Sequence, residues 1–364
     1  MEDTADDSLM CPIGLELFTD PVIGADGHTY ERKNITTWLR AHGTSPLTRQ
    51  PMDRNSLRPN HVVRKLVDEF IAASKENQYR FRLNVDVRKC EEHPWKISFG
   101  KAMYKAEWIE KRGPPITLLE IEGVRACREP SFYAQLSWHP HIVRTFGLVH
   151  NDTNSVLLVQ EFSSYGDLSY QLREQDFHPS ATVFLEIFVQ IIDALIFLAQ
   201  HGIIHGDVVC RNVLVFRLHP TKPKKNLFKL TDFGLTKGST LFSVVDNTTA
   251  TIFAVKPIRY CAPEVLRKRN VPSSYSEKSD VYSMGMLIWE AHSQGELPFA
   301  SIENDVEVKR VRRSGQLLER PQSCSTELWS LVNTCWEFDP DARPTFKELK
   351  HNLMDMMQCD CHRR

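Results

Sequence analysis

Residues 203–215 read IIHGDVVCRNVLV. Three polar side chains, His205, Asp207 and Asn212, stand in an otherwise mostly apolar run, with Gly206 between the first two. The stretch before it, Thr182 to His205, is the most apolar part of the chain. Its Phe184, Phe188, Ile191, Ile192 and Leu195 recur at helical spacing, and Glu186, Gln190 and Asp193 interrupt it. That pattern predicts a core helix, not a membrane span. The stretch after it, KLTDFGL at 229–235, predicts a strand followed by Asp232, Phe233 and Gly234.

The totals set the frame for these motifs. A chain of 364 residues predicts two or three domains. With 41% hydrophobic and 25% charged residues it reads as soluble and globular. A formal net charge of −1 provides no overall field for nucleic acid or an anionic membrane, so neither is expected as a partner. The start, MEDTADDSLM, is acidic and lacks the pattern of a signal peptide, which predicts a cytoplasmic protein. The nine cysteines are scattered and are expected as reduced thiols. CDCH at 359–362 reads as a polar tail, because two or three ligands cannot close a tetrahedral metal site.

Composition divides the chain. The polar, charged stretch Lys75–Lys89 predicts a linker, which gives a first unit at 5–75, a linker at 76–90 and a second unit at 91–358. Within the first unit, PVIG, the turn residues Asp26 and Gly27, and HTY predict a hairpin. Glu31 to His42 predicts a helix with Ile35, Trp38 and Leu39 on one face, stopped by Gly43. A second amphipathic helix follows Pro59, with Val62, Val63, Leu66, Phe70 and Ile71 as its apolar residues. In the second unit HPTKPKK at 219–225 predicts a solvated loop between two strands.

CPI at 11–13, DPV at 20–22, the GHTYER of 27–32 and the PLTRQPM of 46–52 together resemble the U-box, the zinc-free relative of the RING domain. A RING needs about eight Cys and His ligands for its two zincs. Residues 8–72 hold one cysteine, Cys11, and three histidines, so packing and hydrogen bonds are expected to hold the loops, with no zinc and no cofactor. The resemblance implies an E3 ubiquitin ligase that docks a ubiquitin-charged E2 and holds the thioester in a reactive pose, a contribution made by positioning. By position, Ile13, Leu15, Trp38 and Pro46 would form the E2 groove, an apolar patch with an aromatic anchor. Ile13 and Leu15 also fit plain core positions. Arg49 stands where many such ligases place a cation bridging E2 and ubiquitin, and it is also placed to pair with Asp53.

From about Glu91 the chain resembles a protein kinase domain, with a small lobe at 91–160 and a large lobe at 164–358. The stretches quoted above, RYCAPEVL at 259–266, SDVYSMGMLIWE at 279–290 and CWEFDPDARPTFKEL at 335–349 carry that resemblance. It implies ATP and Mg²⁺ as cofactors, with Asn212 and Asp232 as magnesium ligands and Asp207 aligning the substrate hydroxyl. Gln160, Glu161 and Ser163 fall at the hinge and would bind ATP. His205, Phe233, Asp280 and the Glu264–Arg343 pair match structural positions. Arg211 and Pro257 resemble tyrosine kinases. The segment between Asp232 and Glu264 has no tyrosine before Tyr260 but carries Ser239, Thr240, Ser243, Thr248, Thr249 and Thr251. Gly206 replaces the arginine that clasps a phosphorylated activation loop.

The small lobe departs from the pattern. PITLLEIEG at 115–123 places Leu119 where the phosphate-binding lysine should be. Loss of one such preorganised charge costs roughly 10²–10³ in rate. KISFGKAMYKAEW keeps one glycine, Gly100, where the family has three. Glu129 is the candidate for the acid that pairs with the missing lysine. Lys101 falls on the third glycine, from which it would reach the phosphates in the manner of the with-no-lysine kinases, and it also reads as a surface lysine. The sequence therefore predicts an α+β chain, a small U-box followed by a bilobal kinase-like domain. Three readings follow: an E3 ligase whose degenerate kinase-like domain, a pseudokinase, recruits protein substrate or binds nucleotide; a ligase that is also an active kinase through Lys101; and a non-enzymatic scaffold.

Overall fold

The computed structural model describes residues 9–14, 18–77, 80–98, 101–110, 113–122, 136, 138–150, 155–232, 258–267 and 275–362. It forms two compact units, Met1–Gln78 and Tyr79–Arg364.

In the first unit strand β1 (Pro21–Ile23) lies between β2 (Thr29–Glu31) and β3 (Arg58–Pro59), antiparallel to both. The hairpin turn needs Gly27, whose φ of 81° is left-handed. Helix α1 (Arg32–His42) buries Ile35 and Leu39 against Val22, Tyr30 and Met52, and ends where Gly43, at φ 65°, returns its N–H to the Leu39 carbonyl. Helix α2 (His61–Asn77) starts at Asn60, whose side chain accepts from the Val63 N–H. It packs Val67 with Leu9, Cys11 and Phe18, and Val63 against that cluster. The expected apolar face is thus only partly used: Val62 and Leu66 are exposed, because the i, i+4 pair Val63–Val67 takes the core side. Phe70 and Ile71 lie outside the described side chains.

These two clusters are small, and polar bonds hold the loops between them. Buried Tyr30 donates its hydroxyl to Asp26 Oδ2 at 2.7 Å, and Ser45 donates to the same oxygen at 2.5 Å. The Ser45 oxygen in turn accepts from the Leu47 and Thr48 N–H groups at 3.2 and 3.0 Å. One carboxylate therefore ties the hairpin to the loop that carries Pro46 and Arg49. Burial alone would raise the Asp26 pKa; the bonds from Ser45, Tyr30 and the His28 backbone outweigh it and hold the carboxyl below its ordinary 3.8. At the other end, Glu31 accepts from the Thr19 and Asp20 N–H groups, and Arg32 pairs with Asp20 at 2.7 Å.

The second unit is built on a seven-stranded sheet and a helical body. The sheet runs β4 (Arg80–Phe81), β9 (Thr145–His150), β10 (Ser155–Glu161), β8 (Ile116–Glu122), β7 (Lys101–Trp108) and β5 (Val87–Lys89), with β6 (Lys96–Ser98) also on β7. Residues 80–81 and 87–89, expected as linker, are thus strands of this sheet. They escape a periodicity reading because each is two or three residues long and mostly charged; Val87 is fully buried while Arg80 and Arg88 face outward.

In the helical body α3 (Leu168–Arg173) precedes α4 (Ala181–Gln200), the predicted core helix. Apolar enough over this length to cross a membrane, α4 is instead 67% buried inside the unit over its apolar window. Strands β11 (Val213–Arg217) and β12 (Leu227–Leu230) flank the loop at 219–225, as expected. Helices α5 (Pro263–Arg267), α6 (Glu277–His292), α7 (Asp305–Arg313), α8 (Thr326–Cys335) and α9 (Phe346–His362) complete it. Asp193 of α4 binds both Lys350 of α9 and His139 Nε2, the latter at 3.5 Å, and the His139 ring stacks on Phe197 at 4.8 Å. The loop leading into β9 is thereby anchored to the helical body.

Candidate functional site

A cleft opens in the second unit, lined among others by Trp95, Lys96, Met103, Thr117, Leu119 and Gln160 from the sheet side. Asp207, Asn212, Leu214 and Asp232 line it from the helical side. The loop 205–212 is shaped from below. Buried His205 places Nε2 3.0 Å from the Thr231 carbonyl oxygen. The Asp280 carboxylate of α6 accepts the N–H groups of His205 and Gly206 at 2.7 and 2.9 Å. Burial pushes the Asp280 pKa up to about 7 although both N–H groups oppose it. Gly206 has φ 76°, a left-handed conformation that a glycine adopts without the Cβ penalty an arginine would carry there.

Asp207 is held on two sides. Arg211 Nη2 meets its two carboxylate oxygens at 2.9 and 3.0 Å, and Asn212 Nδ2 donates to Oδ2 at 2.8 Å. Because the Asn212 amide nitrogen is committed to Asp207, its oxygen is the end left for a cation. Asp232, at φ 65°, lines the same cleft one residue after Thr231, whose N–H donates to the Asn212 carbonyl. An amide oxygen and a carboxylate are hard donors that fit Mg²⁺. Glu264 and Arg343 form a two-pronged pair at 2.8 and 2.9 Å, with the Arg343 side chain fully buried and also bonded to the Glu337 and Lys278 carbonyls. Phe233, Pro257 and the hydroxyl residues of 239–251 lie outside the described residues.

The hinge side chains serve the protein itself. Gln160, 6% exposed, donates to Thr145 Oγ1 at 3.1 Å. Glu161 is drawn away from the cleft by Lys229 Nζ at 2.5 Å and the Arg144 N–H at 2.8 Å, and it does not line the cavity, contrary to its expected ATP contact. Ser163 donates to the Val215 carbonyl at 2.6 Å. The Glu161 and Phe162 N–H groups are bonded to the Arg144 and Pro115 carbonyls at 2.9 Å each, so of the hinge backbone it is Ser163, which lines the cleft, that is placed toward a ligand.

Leu119 is 1% exposed and belongs to the same apolar cluster as Leu136, Leu148 and Leu158. Lys101 begins β7 opposite Ser98 and Ile121; its side chain, like Gly100 and Glu129, lies outside the described residues. Two contacts at the mouth were not foreseen. Lys96 Nζ meets Asp167 Oδ2 at 2.5 Å, and Trp95 meets Phe162 edge to face at 6.3 Å. Asp167 is 4% exposed and caps α3 through the Tyr170 N–H at 2.9 Å. The single available signal was an Asp just before a helix.

In the first unit Ile13 packs against both small clusters, and Leu15 lies outside the described residues. Trp38 borders the cluster that Ile13 borders; its Nε1 donates to the Thr44 carbonyl at 2.9 Å and its ring stacks on His42 at 4.1 Å. The loop that begins at Thr44 is closed by the Ser45 N–H on the Gln50 carbonyl, and it carries half-buried Pro46, exposed Leu47 and exposed Arg49. Arg49 holds φ 62° in this loop. Asp53 caps the following turn through the Asn55 N–H, and among the described residues Arg49 forms no ion pair.

A U-box domain model matches residues 5–76, and a protein tyrosine and serine/threonine kinase model matches residues 120–353. Among curated relatives, the chain is 31% identical over 217 residues to tyrosine-protein kinase Btk of Drosophila melanogaster, covering 59% of this chain and 25% of that one. It is 33% identical over 221 residues to the transforming protein Abl of Abelson murine leukemia virus, covering 60% and 27%. With ephrin type-A receptor 1 of Homo sapiens it shares 31% over 231 residues, covering 63% and 22%. The matched stretch thus spans about a quarter of the length of these relatives.

Proposed function

Because the chain belongs to the protein tyrosine and serine/threonine kinase family over residues 120–353 and carries a U-box over residues 5–76, we propose that it is a cytoplasmic E3 ubiquitin ligase whose kinase-like domain recruits the protein substrate and transfers phosphate weakly or not at all. A U-box implies interaction with an E2 and ubiquitin. The face bounded by Ile13, Trp38 and the Pro46 loop supports E2 docking: an apolar margin beside an exposed guanidinium at Arg49.

The observation that carries the reading of the second domain is Leu119. It occupies the register of the phosphate-binding lysine, is 1% exposed, and is packed in the core. Positioning groups persist in the cleft while the strand position of the phosphate clamp carries a leucine, and phosphoryl transfer depends on both. The intact Asp207–Arg211–Asn212 arrangement beside Asp232 favours the second reading, a bifunctional kinase and ligase using Lys101.

Autoubiquitination by the full chain with a panel of E2 enzymes tests the first part. Ile13→Ala and Trp38→Ala should each abolish it; no effect of either would remove the proposed groove, and no chains from the unmodified protein would leave the scaffold. Transfer of labelled phosphate from ATP with Mg²⁺ or Mn²⁺, beside an Asp232→Asn twin, tests the second. Label in the first protein and none in the twin would make the domain a kinase.

A further inference from the structure

The charges around the cleft are already paired with one another. Among the described residues its cations are Lys96 and Arg211. Arg211 is bound to Asp207 through both carboxylate oxygens, and Lys96 is bound to Asp167. Asp232 adds a further carboxylate. A triphosphate entering this space finds no strand lysine at position 119 and an excess of negative charge in a cleft where solvent screens poorly. Among the described residues, the cation that does not hold Asp207 is Lys96, which the triphosphate must take from Asp167. Lys96 is partly exposed, but the Asp167 carboxylate is 4% exposed, and removing its partner strands a buried charge, which is unfavourable.

A ring without charge meets no such obstacle. Met103, Leu119 and Leu214 offer apolar surface inside the cleft, and Trp95 and Phe162 close its mouth with two aromatic rings. The backbone of Ser163, at the cleft wall, supplies the polar edge. We propose that the cleft takes an uncharged flat aromatic ligand, of nucleobase or nucleoside kind, in preference to a nucleoside triphosphate, and that the Lys96–Asp167 bond sets this preference. The inference rests on the reading of the second unit as a degenerate domain. It makes Lys96 and Asp167 specificity-determining residues although neither touches the Asp207–Asp232 machinery.

Calorimetric titration of the full chain with adenosine, ATP, and ATP with Mg²⁺ tests it. Adenosine should bind at least about tenfold more tightly than either form of ATP. Asp167→Asn keeps an oxygen for the Tyr170 N–H, so α3 stays capped, while it releases the Lys96 cation. In that variant ATP affinity should rise about tenfold with adenosine unchanged, and Lys96→Ala added to it should erase the gain. Tighter binding of ATP with Mg²⁺ by the unmodified chain would overturn the inference; its loss in Lys101→Ala would assign the clamp to that lysine. An unchanged ATP-to-adenosine ratio in Asp167→Asn, or no binding of either ligand, would overturn it as well. If ATP with Mg²⁺ is preferred and no phosphate is transferred, this inference alone fails; if phosphate is transferred, the degenerate reading fails with it.

Discussion

Asp26→Ala should open the loop that carries Pro46 and Arg49. Two buried hydroxyls depend on the carboxylate: Tyr30 is fully buried and Ser45 is 1% exposed. A hydrogen bond to a charged group is worth about 1.5–3 kcal/mol, so the two together contribute about 3–6 kcal/mol. Tyr30 and Ser45 already lie 3.3 Å apart and can bond each other once Asp26 is gone, which reduces the loss to about 2–4 kcal/mol. A unit of this size holds about 4–12 kcal/mol in all, so the change removes a large part of it without abolishing the fold. Amide hydrogen exchange on the full chain reads the loss locally. At about 1.36 kcal/mol per tenfold, amides of residues 44–52 should exchange about 30- to 900-fold faster, with α4 unchanged. Ubiquitin chain formation should fall with them. The carboxyl titrates below its ordinary value in the folded state, so its contribution is full above about pH 4 and is lost as pH falls through the lowered folded pKa. Exchange within threefold of the parent would refute the network as the support of this loop.

Other perturbations probe the second unit. Arg343→Ala leaves Glu264 without its buried partner and removes bonds to two carbonyls; a loss of about 3–5 kcal/mol should appear as a large drop in the melting temperature, and a small drop would show that the pair is incidental. Leu119→Lys puts a cation into a site that is 1% exposed, so the unit should melt earlier and phosphate transfer should not increase; a gain in transfer would contradict the packing argument. His292 lies against Phe184 at 4.2 Å, and burial lowers its pKa to about 4. A folded pKa below the ordinary 6.5 means that stability is present above pH 6.5 and is lost as pH falls towards 4, by about 3 kcal/mol. The stability difference from His292→Gln, followed by urea titration, should narrow over that interval; a constant difference would exclude this histidine.

The parts of the fold that chemistry constrains were legible in the sequence. Gly27 and Gly43 marked the turn and the helix stop because their backbone angles demand glycine, and the periodic apolar residues of α4 announced a core helix. His205, Asp207, Asn212, Asp232 and the Glu264–Arg343 pair stood out because the stretches that carry them resemble protein-kinase motifs, and the structure brings Asp207, Asn212 and Asp232 together in the cleft. The strands at 80–81 and 87–89 were hidden because a two- or three-residue edge strand has no period to read. Glu161 faced the wrong way for a sequence reading because its orientation is decided by Lys229, 68 residues later. The Lys96–Asp167 bond spans 71 residues and joins two positions to which no sequence motif gave a role, so only the folded chain displays it.

The anchoring of Asp193 also bears on the order in which the protein is made. The carboxylate on α4 waits for Lys350 on α9, near the end of the second unit, before the loop at His139 has its full support. The first unit is complete in sequence by residue 78. At about 5–20 residues per second, synthesis from there to Lys350 occupies roughly 14–55 s. On the function proposed above, a nascent chain would for that interval display its U-box ahead of an unfinished recruiting domain. An E2 docked there would have the lysines of that same growing chain at hand, so slow completion of the second unit would mark its own polypeptide for removal.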